Sequence, residues 1–397
     1  TIDVEPSSGT KLLGDNTDYI SFVAKYSPSG DLQWAYDWKA SPGYLEIHDI
    51  AVGPGGYIIL SGNTPSQDLN PTSGVDAVTS DGNDAFLMRI NADGSYGWGR
   101  VFPTSGSNIS QALDIRVLSN GDIVTAISFE GTLTLPSGTI TAAAGFDIVV
   151  VKTNENASSL IWRSSIQGSS TDWIEEVHVS TSGNVSLVGG FSSATTTLTS
   201  SDSSTTVLTR ASGATSSAYA VSLTSAGVAS YATVVGPTNS YSRSSTISST
   251  GEVLVFVNTG DLIKVSTSGV ASTVGSFGAT VAAFGMAHLA SGELAMGGEF
   301  SGTVDLDPSS GVASRTATGV GSASFVARLS STYSLTQLHV IDGNNTDSIS
   351  SVAASASGGL LATGTGISTS VNLSNTTHDG SFTRAAGTDS MAFVVRY

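Results

Sequence analysis

The chain has 397 residues, and 15 Lys plus Arg against 32 Asp plus Glu give it a formal charge of −17. That balance argues against nucleic acid or an anionic membrane as partner, no run approaches the ~18 apolar residues of a membrane span, and zero Cys removes disulfides, thiolate metal sites and Cys nucleophiles. The chain carries 68 Ser, 45 Thr and 45 Gly, yet 39% of it is hydrophobic, so it can bury a core and its small polar residues belong in strands and turns.

Two kinds of hairpin alternate along the chain. The first element is "SFVAKYSPSGDLQWAYDW" from Ser21, in which Phe22, Ala24 and Tyr26 face one way and Val23 and Lys25 the other. Next comes "IAVGPGGYIILSG" from Ile50, then "AFLMRINADGSYGWGRVF" from Ala85. The first kind returns from Asp147, Ala218, Asp261 and Ser324, and "AFVVRY" at the end of the chain is a half-copy. The second kind returns from Ile115, Val177, Ser245, Met286 and Val352. Its turn glycine falls at Gly56, Gly121, Gly183, Gly251, Gly292 and Gly358, with spacings of 65, 62, 68, 41 and 66. The runs have strand length, period-two alternation and Gly/Ser/Asn/Asp turns, and no segment sustains a helical period.

Each unit is therefore four strands, a to d, of which the Ile50 type supplies a and b and the Ser21 type c and d. The 41-residue spacing shows how they connect. There "EVLVFV" meets "LIKVS" across only Asn258, Thr259, Gly260 and Asp261, a hairpin turn, so b and c are antiparallel neighbours. The longer b–c loops elsewhere are insertions on that turn. A four-stranded antiparallel meander at this period is a propeller blade. The expected fold is all-β, one β-propeller domain over residues 1–397, with six blades or alternatively seven, and no substantial helix. Strand c occurs seven times against six for the others, so residues 1–26 and 368–397 are expected to be redundant terminal segments. Closure is expected to join the a–b pair of residues 350–365 with the c–d pair of residues 21–38.

The stretches "GGEFSGTVDLDPSSGV" from Gly297 and "TSDGNDAFLMRINADGSYGW" from Thr79 resemble the bacterial β-propeller repeats known as SBBP-type. The resemblance is weakest over residues 191–283, where the strand-d Trp is lost. It implies a propeller and an exported, cell-surface context, with no enzymatic activity and no catalytic residue.

Four patterns qualify as candidate sites. Strand c repeats a basic residue at Lys25, Arg89, Lys152, Lys264, Arg328 and Arg396, which reads as a cation ring or as local ion pairs. Strand d repeats Trp34, Trp98 and Trp162, which reads as a sugar platform or as blade packing. The b–c loops carry Asp3 and Glu5, Asp68 and Asn70, and Asp305 and Asp307, each pair on alternate positions before a Pro. Two converging oxygens suit Ca²⁺, and Asx residues also start turns. Neighbouring Asx clusters begin at Asp15, Asp81 and Asp342. Last, Phe22, Val23 and Lys25 nearly duplicate Phe393, Val394 and Arg396, and Phe22, Val23, Lys25, Met391, Phe393, Val395 and Tyr397 form a candidate assembly set.

The five His (His48, His178, His288, His339 and His378) show no metal-like spacing, and no catalytic Ser/His/Asp set stands out. Sequons occur at Asn108, Asn156, Asn184, Asn344, Asn372 and Asn375. The sequence thus predicts a non-enzymatic extracellular structural protein of a prokaryote, processed from an exported precursor. Its expected partner is itself, head to tail, through terminal strands, without nucleic acid or membrane insertion. Ca²⁺ is the one cofactor considered. The rival readings are a monomeric carbohydrate- or protein-binding propeller and a propeller glycosidase or lyase.

Overall fold

The computed structural model describes residues 2–14, 20–39, 43–80, 82–106, 108–354, 359–374, 380–383 and 391–396. Among these residues every regular element is a strand. The turns form where the glycines predict them. Gly56, Gly121, Gly183, Gly251 and Gly292 have φ between 79° and 90°. Each donates its N–H to the carbonyl three residues back, as Gly121 does to Leu118 at 2.9 Å. A Cβ is disfavoured in that left-handed region, which is why the repeat holds glycine there. The same turn closes the c–d hairpins at Gly30, Gly94, Gly227 and Gly269, while Ala157 and Tyr333 are held in it at φ 51° and 65°. Gly358 lies outside the described residues.

The chain divides into two compact units: Thr1–Val179 with Phe191–Thr209 and Thr224–Ala229, and Ser180–Gly190 with Arg210–Leu223 and Ser230–Tyr397. The first unit begins with a two-stranded sheet, Ile20–Tyr26 and Leu32–Lys39. A complete blade follows, with a, b, c and d at Glu46–Val52, Ile58–Thr64, Asp84–Ile90 and Tyr96–Phe102. The next has Ser110–Val117, Ile123–Phe129, Asp147–Thr153 and Leu160–Gly168. A further a strand, Asp172–Val179, ends the main segment.

In the second unit Val185–Phe191, Ser217–Leu223 and Ala229–Val235 stand in b-c-d order. One complete blade follows at Ser242–Ile247, Val253–Val257, Asp261–Val265 and Ala271–Ser276. Another has Val281–His288, Leu294–Phe300, Ala323–Leu329 and Leu335–Gly343. The b strands are central, and Ile58–Thr64, Ile123–Phe129 and Val185–Phe191 are buried at every residue. Repeated four-stranded antiparallel sheets of this order make the chain a β-propeller.

The short b–c connection forms as expected. Val253–Val257 pairs with Asp261–Val265 in the register Phe256↔Leu262, and Gly260, at φ 82°, donates to Val257 O at 2.9 Å. The longer insertions are small hairpins, and two of them cover the outer edge of the preceding blade. Thr195–Thr199 pairs with Leu160–Gly168 (Ser165↔Thr199), and Ser370–Ser374 pairs with Leu335–Gly343 (Val340↔Ser374). An exposed d strand would otherwise offer unpaired backbone groups.

The last blade departs from expectation. Its a and b strands are Asp347–Ala354 and Leu360–Gly366, and its c strand is the chain's own Met391–Arg396, with Gly364↔Phe393 and Leu361↔Arg396 opposite each other. The closure by residues 21–38 is not the pairing found, and Met391–Arg396 is taken up by the blade before it. Loop-closure entropy favours this outcome, because Met391–Arg396 follows its partner after a short connection while Ile20–Tyr26 lies nearly the whole chain away. The surplus therefore falls at the other end, on the hairpin Ile20–Lys39.

Candidate functional site

That N-terminal hairpin has strands c and d without a or b. Ile20–Tyr26 pairs with Leu32–Lys39 on one edge (Phe22↔Asp37, Val23↔Tyr36), and among the described residues no strand pairs the other. One face is anchored on the following blade. Trp38 Nε1 donates to Leu69 O at 3.1 Å, Tyr36 OH to Gly94 O at 2.7 Å and Lys25 Nζ to Ala92 O at 2.6 Å. Val23 is buried in one cluster with Trp38, Leu45, Leu60 and Phe86.

The inner edge is open, and the repeat measures how open. Phe22 is 43% exposed, whereas its equivalents Phe86, Val149, Tyr219 and Phe325 are all 0% exposed; at the fifth, the short b–c turn puts Asp261 in that place. Ile50, on the a strand of the first complete blade, is 49% exposed. Its equivalents Ile115, Val177, Ser245, Met286 and Val352 lie between 0% and 7%. Ile115 is covered because Ser110–Val117 packs beside Glu46–Val52. Glu46–Val52 follows a hairpin that has no inner strand. A cavity of about 410 Å³ occupies this region, lined by Ile20, Ser21, Trp38, Tyr44, Leu45 and Glu46. Ile2, Leu12, Tyr26, Tyr44 and Val52 add to the exposed apolar surface of the same segment. Of the expected assembly set, Phe22 thus lies on an open edge, Val23 and Lys25 are engaged, Met391, Phe393 and Val395 sit on the paired C-terminal strand, and Tyr397 lies outside the described residues.

Two members of the basic series are ion-paired locally. Lys152 pairs with Asp122 at 3.1 Å and Lys264 with Glu252 at 3.3 Å. Arg89 lies 3.8 Å from the Tyr57 ring centroid and donates to Asn91 Oδ1. The Trp series packs blades. A Cβ on Gly94 would lie 2.9 Å from Trp34, and one on Gly227 2.6 Å from Trp162. Trp162 Nε1 also donates to Ser225 O at 3.0 Å. Each ring covers the c–d turn of the next repeat, and Trp98 shares a cluster with Ala157 at the equivalent turn.

The three acid loops share one internal design. Asp3 Oδ1 accepts from the N–H groups of Glu5 and Lys11, Asp68 Oδ1 from Asn70 and Asp76, and Asp305 Oδ1 from Asp307 and Ala313. Glu5, Asn70 and Asp307 accept in turn from the N–H two residues on. These oxygens hold the turn, and few remain for the six to eight that Ca²⁺ takes, so the residues fit a turn better than a cation. Among the described residues no three His, Asp or Glu gather as metal ligands. Asp15, Asp81, Asn375 and His378 lie outside the described residues.

One constellation has no counterpart in the sequence reading. Asp49, Asp114 and Glu176 stand seven residues before successive turn glycines. Asp49 Oδ2 accepts from Ile115 N–H at 3.0 Å, and Asp114 Oδ2 from Val177 N–H at 2.6 Å. Asp49 and Asp114 therefore each latch the inner strand of the next repeat. The a-strand bulges between Ile47 and Asp49 and between Ala112 and Asp114 turn the acids that way. Arg116 bonds both Asp49 and Asp114. Burial pushes the Asp114 carboxyl well above its usual range, against the pull of Arg116. The signal available was the recurrence of an acid at one repeat position.

No protein family and no curated protein matches the chain. Solved structures do. One, a protein of unknown function from Bacteroides caccae, has 10% identity over 80% of this chain and 92% of that one, at TM-score 0.40. The Dos1 propeller has 9% identity over 86% and 69%, at 0.48, and BamB from Moraxella catarrhalis 11% over 86% and 87%, at 0.41. The likeness concerns fold alone, and the SBBP-type resemblance has no family match behind it.

Proposed function

We propose that this propeller is a non-enzymatic extracellular structural protein whose copies join end to end through their incomplete terminal blades. The observation that carries the reading is the exposure of Phe22, whose apolar equivalents Phe86, Val149, Tyr219 and Phe325 are all buried. A lone chain that leaves an aromatic strand edge open invites strand addition. Contact between two different ends of the molecule does not close on itself, so it extends into a filament. The acidic, Cys-free, Ser/Thr-rich composition suits a secreted fibre. Among the described residues the N-terminal hairpin is c and d alone and the C-terminal sheet is a, b and c, so the open edges are of different kinds.

The test is light scattering and negative-stain imaging of the full chain from dilute to concentrated solution. Mass should grow with concentration, and short filaments should be visible. Phe22→Ser should weaken association by roughly 10- to 100-fold, the effect of losing the burial of one Phe side chain, without unfolding the chain. A protein that stays monomeric throughout, or a variant that associates like the parent, overturns the reading.

A further inference from the structure

Resting on that end-to-end reading, we propose that the vacancy in one copy is filled by the a–b hairpin of a second copy, Asp347–Ala354 with Leu360–Gly366. In the junction Ile20–Tyr26 takes over the register that Met391–Arg396 holds within the single chain. The two c strands are near duplicates, with Phe-Val-Ala-Lys-Tyr at residues 22–26 and Phe-Val-Val-Arg-Tyr at residues 393–397. One b strand therefore has two candidate partners of the same pattern.

The register follows from a repeated pair. In the first complete blade Gly62 faces Phe86, and in a blade of the second unit Gly298 faces Phe325. A Cβ on Gly62 would collide with Glu46 O and one on Gly298 with Ala282 O, so glycine on b lets the a strand approach closely at the register position where c carries an aromatic. Gly364 stands opposite Phe393 in the same register. Phe22 is the c-strand aromatic without such a partner. Placed on Gly364, it brings Val23 opposite Thr363, Ala24 opposite Ala362 and Lys25 opposite Leu361.

The exchange replaces one b–c pairing with another of equal length, so backbone hydrogen bonds nearly balance. The gain is apolar. The incoming b strand covers Phe22 in place of the Met391–Arg396 strand it releases, and the incoming a strand adds cover where Ile50 and Val52 are exposed. Leu361 and Ile367, both exposed on the donor blade, enter the junction as well. Exchanging an element already used within the chain is a low-cost route to association.

The absence of Cys makes the test clean. Ala24→Cys and Ala362→Cys are made separately in the full chain, mixed and oxidised. Opposed residues of antiparallel strands lie within disulfide range. The mixture should give a covalent species of twice the chain mass that neither variant gives alone. As a control, the double variant Ala362→Cys/Val395→Cys should close within one chain. If the mixture gives no such species while the parent chain still assembles, this register is wrong and the end-to-end reading survives. If Ala24→Cys/Ala362→Cys in one chain closes internally and the protein is monomeric, both are wrong.

Discussion

Asp172 is fully buried, and Thr196 Oγ1 donates to it at 2.8 Å. Burial pushes its carboxyl up to about 7; the Thr196 hydroxyl opposes the shift, and the nearby Asp147 charge adds to it. The folded state therefore holds a proton that the unfolded chain releases near its ordinary value of 3.8. Stability from this group is complete below that value and declines as pH rises, until it is lost through about pH 7. The full swing is ~4 kcal/mol at most. Asp172→Asn should remove it. Urea midpoints of parent and variant should lie close together at pH 4 and diverge in the variant's favour by pH 8. A parent whose midpoint changes with pH just as the variant's does would show that Asp172 stays ionised.

Turns decide the elements, and two glycines separate the reasons. Gly30 and Gly227 occupy equivalent c–d turns at φ 91° and 80°. A Cβ on Gly30 meets nothing within 4 Å, whereas one on Gly227 lies 2.6 Å from Trp162. Gly30→Ala should cost only the left-handed strain, ~1–2 kcal/mol. Gly227→Ala should add overpacking against the ring, for a total of ~2–5 kcal/mol. Denaturant midpoints measure both, and equal losses would show that Trp162 yields freely. The strands, the turn glycines and the short b–c connection were legible because period-two patterns and positive-φ positions are local properties of the chain. The Trp packing was legible from its single register. The latch from Asp49 to Ile115 was not, since its partners lie 66 residues apart and an acid on an edge strand looks like ordinary surface charge. The choice of C-terminal over N-terminal c strand was also hidden, because the two strands read alike and chain connectivity decides between them.

At the scale of the whole molecule, every copy carries a formal charge of −17, so two copies approaching end to end repel. That repulsion reaches ~30 Å at 0.01 M salt and only ~3 Å at 1 M. The contact itself, on the reading above, consists of backbone pairing and the burial of Phe22 and Ile50. Neither is weakened by screening, and apolar burial is strengthened by strongly hydrated salts such as sulfate. Assembly should therefore increase as NaCl is raised at fixed protein concentration, and increase further in sodium sulfate of equal ionic strength. Sedimentation velocity of the full chain measures both trends. Phe22→Ser should keep the screening response and lose part of the sulfate increment, since repulsion acts on every copy alike while the apolar gain is specific to the junction. Assembly that dissolves as salt rises would mean that ion pairs hold the copies together, and the open strand edge would then not be the contact.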